Sequence, residues 1–237
     1  MDRSSARPRE FTGKHMLAVM IAFFGVIIAV ILLFIFVRER KDSKIQDDSS
    51  ENKIPLLESM KTLGKDKSAL RILCAIFFWF MGYQGILTFI GKYSTDILGS
   101  SMGAASMPAG MVGIAYALFA VPSGFIAHRM GRKRLIRISL VALTAILAFL
   151  FIFLPFTSLL SLTGQLRLYI FWGVMFFFGI FWVSVVTNSF PMLWQMASFS
   201  TMGIYTGLYY TFSQAAAISS PPLTGLIIDV VGYSGIF

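Results

Sequence analysis

The chain has 237 residues, 57% of them hydrophobic and 13% charged, against roughly 25% charged in an ordinary globular domain. With 24 phenylalanines and a mean hydropathy of +0.76, it carries more apolar surface than a single water-soluble core of this size can bury, which excludes a soluble enzyme and a disordered chain. A lone cysteine, Cys74, excludes an intramolecular disulfide and leaves the redox compartment unreadable, while the net charge of +9 invites a nucleic-acid reading that its distribution turns toward membrane orientation.

Residues 1–14 form a polar tail, and the apolar stretch behind it is longer than the core of a signal peptide. Because a charge at the bilayer centre costs about 2.5 kcal/mol or more, charge-free windows locate the spans. Five windows qualify: Met16–Val37, Ile72–Gly91, Ile97–Ala127, Ile138–Leu166 and Leu168–Ile228. A helix needs about 20 residues to cross, so the first four windows hold one span each. The 61 residues of the last must reverse, and Asn188–Ser200, with Pro191 and several small polar residues, is the expected place. The predicted spans are His15–Val37, Leu70–Gly91, Met107–Ala127, Leu135–Pro155, Leu168–Ser189 and Thr201–Asp229. Between the first two lies a polar stretch of mixed charge, read as a solvated linker with a short surface helix from Pro55 to Leu63.

Lys and Arg in the short connections set the orientation. Arg38 to Arg71 contains nine and Arg129 to Arg137 five, whereas the alternate connections contribute only Lys92 and Arg167. Both basic stretches are therefore expected on the cytoplasmic side, with Met1 and the last residues outside. The tail's own Arg3, Arg7, Arg9 and Lys14 pull the other way, a conflict read as a hint of further spans upstream.

Between the third and fourth spans runs Gly124-Phe-Ile-Ala-His128-Arg129-Met130-Gly131-Arg132-Lys133-Arg134. In a turn this tight and basic, Arg129 and Arg132 can lie near a helix carbonyl end and anionic headgroups. Gly131 lets the backbone reverse, and Gly124 is expected to let helices approach closely. Gly203 and Gly207, spaced G-x-x-x-G, offer a weaker sign of close packing. The turn resembles the loop signature of the major facilitator superfamily, G-x-x-x-D-[RK]-x-G-[RK]-[RK]. Gly124, Arg129, Gly131, Arg132 and Lys133 match; His128 stands where the family has Asp, so the carboxylate of a conformational latch is missing. The second span (Phe77-Phe-Trp-Phe-Met-Gly-Tyr-Gln84-Gly) and the sixth (Gly203 to Ser213) are similar to helices of the sucrose-type and glycoside–cation symporter branches.

The resemblance implies an all-α, polytopic transmembrane helical bundle of about six spans, a partial major-facilitator fold. Residues 1–14 are the tail, 15–37 the first span, 38–69 a cytoplasmic linker, and 70–237 a bundle of about five spans ending at the start of a missing helix. It further implies transport of a small solute, a sugar or glycoside, by alternating access in the cell (cytoplasmic) membrane. A missing amino-terminal half or a second copy would complete it, with membrane lipid as surroundings and no nucleic acid. The alternative is a binding or regulatory membrane protein that moves no solute, or an inactive fragment.

In such folds the solute site lies near the midplane. The candidates are Trp79, Tyr83 and Gln84 on the second span, Trp182 and Asn188 on the fifth, and Tyr209, Ser213 and Gln214 on the sixth. Amide and hydroxyl groups beside aromatic faces suit a neutral sugar, hydrogen-bonding its hydroxyls while a ring stacks on C–H faces. The plain alternative is that each only anchors an interface or bonds a neighbouring helix. Of the 11 acids, Asp96 and Asp229 sit at the outer edges of spans and the rest in the tail or linker, so an ion-coupling carboxylate is expected in the absent half. His15, His128 and Cys74 make no metal-ligand cluster, no nucleophilic triad or phosphate loop appears, and neither an enzymatic activity nor a cofactor is expected.

Overall fold

The computed structural model describes residues 67–198 and 201–237, together with Met20, Phe23, Phe24, Val26, Ile27, Ile28 and Ile31. The chain divides into two compact units, residues 1–53 and 54–237. In the first unit the seven described residues are all helical and fall inside the first predicted span; the tail, most of the linker and the predicted surface helix lie outside the described residues.

The second unit contains α1 (Lys67–Asp96), α2 (Met107–Met130), α3 (Arg132–Phe151), α4 (Phe153–Leu159), α5 (Gly164–Trp194) and α6 (Met202–Val231), then a 3-10 turn over Tyr233–Ile236. Among the described residues all but the short α4 are long and apolar enough to cross a membrane. The result is an all-helical, polytopic bundle.

Most helix ends lie a few residues from the sequence reading, and three of these differences have identifiable reasons. The fourth span does not continue to Pro155: α3 stops at Phe151, and Pro155 instead sits in the first turn of α4, where its missing N–H deprives no helical carbonyl. At its start α3 reaches back to Arg132, since a basic first turn can rest in the headgroup layer. The reversal after the fifth span comes later than expected, because α5 runs through Pro191 to Trp194. Its last turn is held by Leu193, fully buried in a cluster with Ala69, Leu73 and Ile76 of α1 and Leu208 and Tyr209 of α6. A membrane helix tolerates such a proline when neighbours secure the turn around it.

Two parallel helix pairs organise the bundle. α2 lies along α5, with Gly179 against Val112 and Ala115, and Ser123 Oγ 2.7 Å from Thr187 Oγ1. α1 lies along α6, with the Ser220 hydroxyl donating to the Met81 carbonyl and Thr224 seated on Gly85. Since lipid is as apolar as leucine, such close backbone approach and interhelical hydrogen bonds, more than apolar burial, hold membrane helices together. α3 packs antiparallel on α5, while Tyr93 and Phe171 meet between α1 and α5 at 5.4 Å. α5 is the most buried helix, with Phe171, Met175, Val183 and Val185 fully enclosed.

This arrangement sorts the charges. One end of the bundle gathers Lys67, Arg71, Arg129, Arg132, Lys133, Arg134 and Arg137; the other holds Lys92, Asp96, Arg167 and Asp229. The acids are placed at that second end, where Asp96 accepts hydrogen bonds from Thr95 Oγ1 (2.8 Å) and the Tyr233 hydroxyl (3.2 Å).

Candidate functional site

Near the middle of α1 and α5, aromatic rings from the two helices interleave. Tyr83 stacks on Trp182 with ring centres 4.0 Å apart and planes 8° from parallel, and lies parallel to Phe178 at 6.3 Å. Phe80, one turn from Tyr83, meets Trp182 edge-on at 5.4 Å and Tyr209 of α6 at 6.2 Å. Trp79, Tyr83, Phe178 and Trp182 wall a cleft of about 180 Å³, closed on its third side by Leu140, Leu143, Thr144 and Leu147 of α3. The local reason is helical spacing. Trp79 and Tyr83, like Phe178 and Trp182, are four residues apart and share a face, so two aromatic ladders meet between two antiparallel helices.

The structure brings together three of the eight residues predicted for the solute site, Trp79, Tyr83 and Trp182, and links Tyr209 to them through Phe80. Trp79 Nε1 is buried with no hydrogen-bond partner among the described residues. Tyr209 is buried, its hydroxyl 3.3 Å from Ser189 Oγ and its ring edge-on to Phe190 at 4.8 Å. Asn188 and Ser213 are buried too but are engaged by their own helices. Asn188 Nδ2 donates to the Ser184 carbonyl at 2.9 Å and to Thr187 Oγ1 at 3.3 Å, and the Ser213 hydroxyl donates to the Tyr210 carbonyl at 3.2 Å. Half-buried Gln84 and exposed Gln214 do not line the cleft. The sequence reading missed Phe80 and Phe178, although each stands one turn from a named residue; the α3 wall carries only one polar side chain, Thr144, which donates to its own Leu140 carbonyl at 2.9 Å.

At the basic end a single residue joins α2 to α3. Gly131 has φ +89° and ψ 134°, a conformation closed to residues with a Cβ, and its N–H bonds the Ala127 carbonyl at 2.9 Å to finish α2. His128, Arg129 and Lys133 are exposed and Arg132 half-buried around it. The roles given to the other glycines are corrected here. A Cβ at Gly124, Gly203 or Gly207 would meet nothing within 4 Å among the described residues, so these glycines bring none of the described helices close. The close approaches are made by Gly179 and Gly85, which lie in no G-x-x-x-G repeat.

Chemically the cleft offers aromatic faces, phenol and indole groups and no charge, a surface on which an uncharged molecule can be held. Among the described residues no three His, Cys, Asp or Glu side chains come together, and Cys74 is exposed. No curated protein and no solved structure matches the chain. The family description Major Facilitator Superfamily matches residues 10–221. With membrane-capable helices filling the second unit and a family match over most of its length, this chain belongs to the Major Facilitator Superfamily, whose members carry small solutes across membranes as multi-pass proteins.

Proposed function

We propose that the chain forms one half of a secondary transporter for a sugar or glycoside, of the sucrose-type or glycoside–cation symporter kind, and that it works by rocking against a second half. The partner is an amino-terminal half or another copy of the chain. The observation that carries the reading is the uncharged aromatic site at mid-bundle, where Tyr83 stacks on Trp182 beside Trp79. A pyranose presents apolar C–H faces to rings and hydroxyls to phenol and indole groups, so this chemistry favours a neutral sugar over an ion. The half-transporter reading is supported by element order. One span, a polar linker and then five spans, with the basic turn between the second and third of the five, resembles the join and second half of that superfamily. The charge asymmetry supports placing the Gly131 turn and the linker on the cytoplasmic side of the cell membrane.

The test is reconstitution of the purified chain in liposomes at graded protein-to-lipid ratios, with uptake of radiolabelled sucrose and of a β-glucoside. Saturable uptake that rises with the cross-linked dimer fraction, or that requires a co-expressed amino-terminal half, is expected. Saturable uptake by vesicles holding single monomers would refute the half-transporter reading.

A further inference from the structure

Beside the Gly131 turn, α3 and Met192 of α5 line an open groove of about 340 Å³. Lys133 and Arg137, both exposed and one helical turn apart, stand at the end nearest the turn, and Ile136, Leu140 and Val141 continue the wall. Leu140 and Thr144 also line the aromatic cleft, so the groove runs along α3 from the basic end toward the middle of the bundle.

The positive charge at its mouth is uncompensated. Among the described residues the only acids are Asp96 and Asp229, both at the opposite end, so neither Lys133 nor Arg137 has a carboxylate partner there. The first turn of α3 contains no acid and its start has no side-chain cap, so Arg132, Lys133 and Arg134 add to the positive end of the helix dipole where a carboxylate would offset it. Such a place favours an anion. Depth indicates which kind. Arg137 and Leu147, the last α3 residue of the cleft wall, are ten residues apart, a rise of about 15 Å. The hydrocarbon of one leaflet is half of about 30 Å. Over that length the α3 wall has one polar side chain, Thr144, whose hydroxyl donates to the Leu140 carbonyl at 2.9 Å. A small soluble anion would meet the two cations and leave the wall uncovered, whereas a phospholipid covers both.

We propose that this groove is a site for one anionic phospholipid, its phosphate held between Lys133 and Arg137 and an acyl chain laid along Leu140 and Thr144 toward the aromatic cleft. The occupant comes from the leaflet at the basic end of the bundle.

The test follows tryptophan fluorescence of the full chain in phosphatidylcholine nanodiscs containing a graded fraction of phosphatidylglycerol brominated at mid-chain, because bromine quenches an indole it touches. Trp79 and Trp182, which wall the cleft, are the reporters. Brominated phosphatidylcholine at the same mole fraction measures the quenching that any surrounding lipid gives. Brominated phosphatidylglycerol is expected to quench beyond that baseline and to saturate. Lys133→Gln and Arg137→Gln should each raise the half-saturating fraction about fivefold, which corresponds to about 1 kcal/mol per cation at an anionic surface. Arg134→Gln, an exposed neighbour that does not line the groove, should change it less than about twofold at physiological salt. Circular dichroism reports that each variant is folded. Glycerol phosphate, the same anion without acyl chains, should not displace the lipid at millimolar concentration. Equal quenching by the two brominated lipids, or an equal loss in all three variants, would overturn the proposal; displacement by glycerol phosphate would overturn it in favour of a small-anion site. Any of these results leaves the transporter reading standing.

Discussion

The approach of α2 to α5 at Gly179, which involves backbone atoms, gives the sharpest stability prediction. A Cβ added at Gly179 would lie 2.7 Å from Ala115 Cβ, 2.9 Å from Val112 Cα and 3.0 Å from the Val112 carbonyl oxygen. Two of these atoms are backbone and cannot rotate away. Reaching ordinary contact at 3.4 Å means moving α2 from α5 by about 0.7 Å at this level. A gap of that size forfeits a quarter to a half of the dispersion energy at the surrounding contacts, and overpacking of this kind costs about 1–3 kcal/mol. The better helix propensity of alanine returns at most about 1 kcal/mol, so Gly179→Ala should be destabilising by up to about 2 kcal/mol. Gly124→Ala meets nothing within 4 Å among the described residues and should be neutral or slightly stabilising. Equilibrium unfolding in mixed micelles, followed by circular dichroism, measures both, and Ala115→Gly should restore part of the Gly179→Ala loss because the two sites touch. Should Gly179→Ala prove as stable as the parent, or Gly124→Ala the more damaging, the α2–α5 interface is not packed as described.

Three further outcomes follow from the same packing. Ser220→Ala, which removes the donor to the Met81 carbonyl across α1 and α6, should cost about 0.6 kcal/mol in the same unfolding measurement, the average for interhelical hydrogen bonds in membranes. A double-mutant cycle of Tyr83→Ala and Trp182→Ala should return a coupling of about 0.5–1.5 kcal/mol from the stacked pair; a coupling indistinguishable from zero would show that the rings do not stack. In a Cys74→Ser background, an impermeant maleimide added to intact cells should label Met102→Cys, in the connection between α1 and α2, and spare Met130→Cys beside the basic turn. Labelling only at position 130 would invert the orientation.

Much of the fold was legible because one physical term, the cost of charge in lipid, dominates. The charge-free windows found five described helices, and the Gly131-Arg132-Lys133 run announced a turn that needs positive φ. What escaped was set by neighbours. Nothing in Asn188–Ser200 shows that Leu193 will be buried between α1 and α6 and keep the last turn of α5 intact through Pro191. Spacing also misled for glycine. Gly203 and Gly207 fit a packing pattern but meet none of the described helices closely, while Gly179 fits none and is clasped by α2. At the site, Trp79, Tyr83 and Trp182 could be picked out as polar aromatics in apolar spans. Residue type could not separate them from Asn188 and Ser213, where the amide N–H and the hydroxyl each donate to a carbonyl of their own helix, because that distinction depends on rotamers and local geometry.

The one-residue link at Gly131 also has a mechanical meaning. A connection that short has no slack, so α2 cannot tilt or slide without dragging α3 along, whereas ten residues, 97–106, separate α1 from α2 and are tied back to the end of α1 by the N–H groups of Ile97, Leu98 and Ser100. Any displacement of α2 must therefore take α3 with it, the two moving as one lever pivoting at the basic face.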